Sequence, residues 1–198
     1  MDKKQETTVK QMVKEAYGDL TSGAACCCKD MNTAAFYGEK LDYTEQDLAC
    51  AVETQMPVLG CGNPVAEAAP APGQTVVDLG CGAGLDTFLA ARRVGPEGRV
   101  IGIDMTPEMV TKAEANAERL AIGNVSFKLS EIENLPVADN TADLVMSNCV
   151  INLSPDKAGV YREIYRILKP GGRICISDVL KSGHIPRSIL NDPVAYTG

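Results

Sequence analysis

Thr75-Val76-Val77-Asp78-Leu79-Gly80-Cys81-Gly82-Ala83-Gly84 is the stretch from which the architecture of this chain is read. Its first five residues are rich in β-branched side chains, which favour a strand, and they run into a glycine-rich turn where backbone can approach a ligand closely. Outward from that turn, strands and helices alternate. Residues 99–103, opened by Pro96-Glu97-Gly98, read as a second strand, and residues 124–129, 142–146 and 172–177 as the third, fourth and fifth. Between them, Thr106-Pro107 reads as N-cap and first helical residue, with Met109, Val110, Ala113, Ala117 and Leu120 on one face. Ser154-Pro155 repeats that start signal, Val160, Ile164, Ile167 and Leu168 point inward, and Lys169-Pro170-Gly171-Gly172 ends the helix. Such alternation implies right-handed βαβ units, hence a mostly parallel sheet with helices on both faces. The fold class is α/β.

The first 74 residues follow a different pattern. Val9, Met12, Val13, Ala16, Tyr17 and Leu20 recur at helical spacing and predict an amphipathic helix. Thr44 with Asp47 is a weakened capping box ahead of Leu48, Ala49 and Val52. Ala68-Ala69-Pro70-Ala71-Pro72-Gly73 reads as a tight turn feeding the first strand. The expected division is an N-terminal helical extension with a Cys-rich segment over residues 1–70 and a ligand-binding domain over 71–198.

Composition narrows the function. The 198 residues carry 19 basic and 26 acidic groups, a net charge of −7, which argues against a nucleic-acid footprint. No apolar run approaches ~18 residues, and the polar start Met1-Asp2-Lys3-Lys4 is no signal peptide, so the expected setting is the cytoplasm, away from a membrane. Eight cysteines in that compartment are expected to be reduced thiols. The single histidine, His184, removes most imidazole-based mechanisms.

The glycine turn points to a particular ligand. A dinucleotide fingerprint places its third glycine three residues after the second, whereas Gly84 follows Gly82 by two. Asp78, two residues before the first glycine, would repel a pyrophosphate but suits an ammonium group; its other reading is a strand-end cap. Asp104 ends the second strand 20 residues past Gly84, where an acid can accept both ribose hydroxyls. Adenosine joined to a cationic amino acid, without phosphate, is S-adenosylmethionine, and the arrangement resembles the first motifs of class I (Rossmann-like) methyltransferases. In that fold Ser130-Glu131-Ile132-Glu133-Asn134-Leu135-Pro136 frames the adenine, Ile132 against the ring and a neighbouring carboxylate at its edge. The candidate cofactor residues are Asp78, Gly80, Cys81, Gly82, Gly84, Asp104, Met105, Ile132, Glu133 and Asn148.

The cysteines carry the substrate question. Cys175, inside the fifth strand, is expected to be a buried small hydrophobe, and Cys50 to lie on a helix. Cys149 follows the fourth strand at the edge where a methyl sulfonium belongs. Cys61 occupies a glycine-flanked turn, Gly60-Cys61-Gly62-Asn63-Pro64, with an accessible backbone. Cys26-Cys27-Cys28 contains no CxxC pair and makes a poor zinc site. Soft thiolates beside a methyl donor suit a soft, thiophilic acceptor.

Over nearly its whole length the sequence resembles arsenite S-adenosylmethionine methyltransferases. The resemblance rests on Gly60–Pro64, Val77–Gly84, Gly102–Thr106, Ser147-Asn148-Cys149-Val150-Ile151-Asn152-Leu153 and Leu168–Gly172, and the segments around Cys61 and Cys149 are its most specific parts. It implies that Cys61 and Cys149 hold trivalent arsenic, that the arsenic lone pair takes the methyl group, and that one of Cys26, Cys27 and Cys28 can pair with Cys61 in a redox cycle or supply a further arsenic ligand. It further implies reduced, deprotonated thiols, and hence glutathione and a thioredoxin-type reductant as partners. The family's next arsenic-binding cysteine follows a segment like Asn191–Gly198, so the sequence reads as shortened at its C-terminus. The rival expectations are a small-molecule O-, N- or C-methyltransferase, and a thiol-rich metalloid-binding module without turnover. Asp104→Ala is expected to weaken S-adenosylmethionine binding about tenfold or more while the fold persists, since a charge-assisted hydrogen bond is worth ~1.5–3 kcal/mol. Unchanged affinity in titration calorimetry would remove Asp104 from the site.

Overall fold

The computed structural model describes residues 3–21, 41–54, 60–180 and 182–183. Cys26, Cys27, Cys28, His184 and residues 191–198 lie outside the described residues. In chain order the elements are α1 (Lys3–Thr21), α2 (Glu45–Thr54), α3 (Pro64–Ala68), β1 (Thr75–Leu79), α4 (Leu85–Val94), β2 (Arg99–Asp104), α5 (Pro107–Arg119), β3 (Val125–Leu129), β4 (Ala142–Asn148), a 3-10 turn (Ile151–Leu153), α6 (Lys157–Ile167) and β5 (Leu168–Ser177).

All strand pairs are parallel, in the order β3-β2-β1-β4-β5. From β1 the chain steps to β2 and β3 in one direction, then returns to the other side of β1 for β4 and β5. Right-handed crossovers in opposite directions place their helices on opposite faces. Side chains alternate accordingly. Val76, Val100, Leu144 and Met146 pack with Phe88 and Leu89 of α4 and Met109 of α5, and Tyr43, Leu48 and Val65 close the same layer. Val77, Leu79, Ile101, Ile103 and Val145 pack with Val160, Ile164 and Ile167 of α6. Each such fully buried aliphatic or aromatic side chain contributes ~1.5–3 kcal/mol. The mostly parallel α/β sheet with helices on both faces expected from the sequence is the observed one.

The extension joins this core rather than standing apart. Val9 and Val13 of α1 are buried, and α1 lies against α5. The Thr44–Asp47 capping box is fully formed: Thr44 N donates to Asp47 Oδ2 at 3.0 Å, and Asp47 N donates to Thr44 Oγ1 at 3.2 Å. Among the described residues no helix is long and apolar enough to cross a membrane.

Three local expectations are corrected, and one short helix was not foreseen. Ser154-Pro155 does not start a helix: Asp156 caps α6 by accepting from Gly159 N at 2.9 Å, while the Ser154 hydroxyl is committed to Glu133 at 2.7 Å. Lys169–Gly172 does not end that helix, which stops at Ile167, and β5 begins at Leu168 with a register shift between Ala142 and Leu144. Cys175 is half-buried, because β5 is the outer strand of the described sheet. The short α3 was not legible; Asn63 caps it, its side chain accepting from Ala66 N at 3.0 Å.

The glycine turn depends on backbone freedom at Gly80, where φ is +69° and a Cβ would run into the Val150 side chain. Gly80→Ala therefore combines left-handed strain with overpacking and is expected to lower stability by about 2–4 kcal/mol in urea unfolding. Gly82, at φ +52° with open space on its free side, is the internal comparison. Gly82→Ala should lose only the conformational part, ~1–2 kcal/mol.

Candidate functional site

The site forms where β1 and β4 diverge at their carboxyl ends, the switch point at which open α/β sheets bind ligands. From β1 the chain turns through Gly80, Cys81 and Gly82 into α4. Gly82 N donates to Asp104 Oδ2 and Thr106 N donates to Asp104 Oδ1, each at 2.9 Å, so the acid ending β2 ties the turn in place. Burial raises the Asp104 carboxyl above the usual carboxylate range, against the pull of these N–H groups. Asp78 is only 2% exposed and accepts from the Thr87 hydroxyl at 2.6 Å. Desolvation, reinforced by Asp86, pushes its pKa up to about 8. Asp78 thus lies beneath the turn, and Gly84 caps α4 against Phe88.

Gly80, Cys81, Gly82, Asp104, Met105, Ile132, Glu133, Asn148 and Cys149 line one cleft, so the structure brings most of the candidate residues together. Cys61 stands beside Gly60, which lines it too. The Cys81 thiol is buried and donates to Gly82 O at 3.7 Å. α1 closes one side with Lys10, Val13 and Tyr17. Lys10 Nζ meets Glu131 at 2.7 Å and Glu133 at 3.3 Å, and although burial pulls its pKa down, these carboxylates leave it raised. The Tyr17 hydroxyl is raised by burial and by the nearby Cys149 and Asp104.

The lining therefore holds three acids, Asp86, Asp104 and Glu133, and one cation that is already paired. Such a wall attracts a positive ligand and repels a phosphate. The open side of Gly82 leaves backbone bare for close approach.

Two residues here escaped the sequence. Asp86, in the first turn of α4, accepts from Tyr43 Oη at 2.7 Å and from Asn148 Nδ2 at 2.9 Å. Burial raises its carboxyl while those two donors oppose the rise. Tyr43 is buried, and burial with Asp86 beside it drives its phenol far above the ordinary range. Asn148 extends the network: its Nδ2 donates to Gly62 O at 2.9 Å, and its Oδ1 accepts from Cys61 N at 2.9 Å. A Cβ at Gly60 would collide with the same amide. The Cys61 turn, expected to have an accessible backbone, is instead fastened to the end of β4. The available signals were a tyrosine just before a capping box and an acid just after the glycine turn.

Cys61 and Cys149 are held on neighbouring loops at the carboxyl end of β4. Cys149 has a left-handed backbone, φ +60°, and its N donates to Ser177 O at 2.7 Å. Asn152 Nδ2 lies 3.8 Å from its sulfur and donates to Asp178 Oδ1 at 2.6 Å. Burial, then hydrogen bonding and charge from Cys61, push the Cys149 thiol up to about 12. Binding a thiophilic ligand there therefore has to displace the proton of this thiol.

A methyltransferase-domain family model matches residues 70–197. An arsenite methyltransferase of Halobacterium salinarum is 48% identical over 202 residues, covering 96% of this chain and 52% of the relative. One from Aquipseudomonas alcaligenes is 43% identical, covering 94% and 55%. The crystal structure of an arsenic(III) S-adenosylmethionine methyltransferase from Chlamydomonas reinhardtii superposes with a TM-score of 0.65 at 38% identity, covering 83% of this chain and 54% of that one. A SAM-dependent methyltransferase from Aquifex aeolicus gives a TM-score of 0.57 at 26% identity, covering 80% and 79%. The chain spans about half the length of the curated relatives it matches.

The raised Cys149 thiol has a direct readout. Alkylation by iodoacetamide at pH 7.5, followed by mass spectrometry of the Cys149 peptide, is expected to run about 100-fold slower than for a free cysteine and to climb with pH up to 10. Cys61→Ala should speed it by removing one cause of the shift. A rate plateau near the ordinary thiol pKa would contradict the geometry.

Proposed function

The chain belongs to the methyltransferase-domain family, and we propose that it uses S-adenosylmethionine to methylate trivalent arsenic held by Cys61 and Cys149. The observation that carries this reading is the placement of Cys61 and Cys149 beside an acidic cleft at the sheet's switch point, with Asn148 fastening the Cys61 turn to the end of β4. The residues fit the methyl donor: Asp104 for the ribose, Ile132 and Glu133 for the adenine, Gly82 for close backbone approach, and Asp86 for the cationic end. Asp78 supports that end from beneath the turn, with Thr87 holding its carboxyl. When bound, the donor supplies a methyl group on a sulfonium, activated by its leaving thioether. Residues 71–198 carry this pocket, and residues 1–70 contribute the cover of α1 and the turn that bears Cys61.

Cys149 stands at the end of β4, and Asn148 fixes the Cys61 turn against the same strand, so both sulfurs are positioned by the sheet. An arsenic lone pair needs no deprotonation, and no side chain is required as a base. Catalysis is chiefly positioning, with the reacting atoms brought to ~3–3.5 Å. Thiols consumed by oxidation need renewal, which fits glutathione and a thioredoxin-type protein as partners and the reducing cytoplasm as the setting.

Incubation with methyl-labelled S-adenosylmethionine, arsenite and glutathione, followed by arsenic speciation, is expected to yield methylated arsenic. Cys149→Ser should cut that yield by about 100-fold or more while donor binding persists. Arsenite should also shield Cys61 and Cys149, but not Cys175, from alkylation. Methyl transfer to an oxygen, nitrogen or carbon acceptor that survives Cys149→Ser would replace arsenic as the substrate. Arsenite shielding without turnover would leave a metalloid-binding module.

A further inference from the structure

Asn152, three residues after Cys149, is shared between that sulfur and an acid. Its Nδ2 donates to Cys149 Sγ at 3.8 Å and to Asp178 Oδ1 at 2.6 Å. Its backbone N donates to Asp178 Oδ2 at 3.1 Å, and Val179 N donates to Asp178 Oδ1 at 2.8 Å. The 3-10 turn that carries Asn152 is held in turn by Lys157, whose Nζ donates to Asn152 O at 2.9 Å and to Ser154 O at 2.8 Å. Among the described residues Cys149, Val150, Leu153 and Ser154 line the cleft and Asn152 does not. It stands behind the cysteine, outside the ligand's place.

An asparagine amide has two ends of opposite character, an NH2 that donates and an oxygen that accepts. Turned the other way, Asn152 would put its oxygen beside Cys149, where it could accept from an S–H but would repel a sulfur without a proton. Asp178 decides between the two. Its carboxylate oxygens only accept, and three N–H groups converge on them. An amide oxygen in place of Nδ2 would face Oδ1 with no proton between them, so the NH2 is locked toward the sulfur. Charge is not what Asp178 contributes here: the Cys149 thiol, raised by burial and then by Cys61, is raised further by Asp178.

Capture of arsenite at Cys149 breaks one S–H and one As–O bond, forms one As–S and one O–H bond, and releases a water, while arsenic stays trivalent. The sulfur is left with lone pairs and nothing to donate. We propose that Asn152, oriented by Asp178, is a positioning residue whose amide is preset for the arsenic-bound sulfur of Cys149 and holds it in one rotamer at the cleft wall. The inference rests on reading Cys149 as an arsenic ligand, and it holds whatever other donors complete the site.

The test uses the full chain with a phosphine reductant and sodium arsenite as the probe. Protection of the Cys149 peptide from N-ethylmaleimide, read by mass spectrometry as arsenite is titrated, reports on that ligand alone. Asn152→Ala is expected to move the half-protection point roughly three- to tenfold toward higher arsenite, the range of one hydrogen bond, with S-adenosylmethionine affinity unchanged in calorimetry. Asp178→Asn frees the amide to turn, and its effect should be at least about threefold more adverse in the parent than in Asn152→Ala, where no amide is left to orient. On ¹⁵N-labelled protein, arsenite should shift one of the two Nδ2 proton resonances of Asn152, the one facing sulfur, and leave the one on Asp178. A merely structural amide would move neither, and this signature needs no substitution, so it decides even where a variant fails to fold. A parental half-protection point in folded Asn152→Ala, additive effects of the two substitutions, or a stationary amide while Cys149 is protected overturns the inference alone. No protection of Cys149 by arsenite overturns it together with the reading of Cys149 as a ligand.

Discussion

Where β1 lies against β4 the chain reverses its direction across the sheet, and the site exists because of that reversal. Helices that follow right-handed crossovers leave on opposite faces on either side of this seam, so the crossover helices leave the strand ends open there, and α1 closes one side. The gap has to be lined by whatever the loops supply. From β1 come the glycine turn and Asp86; from β2, Asp104; from β4, Asn148 and Cys149; from β5, Ser177. Asn148 then does for the loops what the ladder does for the strands. A single side chain gathers Tyr43, Asp86, Gly62 and Cys61 around one amide.

The electrostatic consequence is a site that resists its own charge. Asp78, Asp86 and Asp104 are all raised by burial, and among the described residues no cation is named among the causes of their shifts. For Asp78, with a folded pKa of about 8 above its ordinary 3.8, the neutral form is the one the fold prefers. Its contribution to stability is complete below pH ~4 and is lost as pH rises through about 8, the reverse of a salt-bridged carboxylate. A ligand that brings positive charge removes part of this strain, and folding and donor binding are linked through the same carboxyls.

What could be read from the sequence was local. β1 to β4 are runs of β-branched and apolar residues bounded by glycine, proline or polar turns, and their periodicity survives any tertiary context. The Thr44–Asp47 box was legible because its two partners are three residues apart. Ser154-Pro155 misled because a serine before a proline looks the same whether its hydroxyl caps a helix or reaches 21 residues back to Glu133. Asp86 is, in sequence, one acid in the first turn of a helix, and Tyr43 one aromatic just ahead of a capping box. Their meeting spans 43 residues, and that of Asn148 with Tyr43 spans 105. No window of sequence contains such pairs; only the order of the strands brings them together.

The left-handed backbone at Cys149 has one more consequence. A β-carbon in that region costs ~1–2 kcal/mol that glycine would not incur, so conformational economy alone would select glycine here. Replacement by glycine would relax the chain and leave the end of β4 more stable, yet it would erase a sulfur. The bend therefore separates two kinds of pressure on one position: drift toward stability and retention of the thiol pull in opposite directions. A descendant that lost its chemistry would be expected to show it first at this residue, as a protein that melts later.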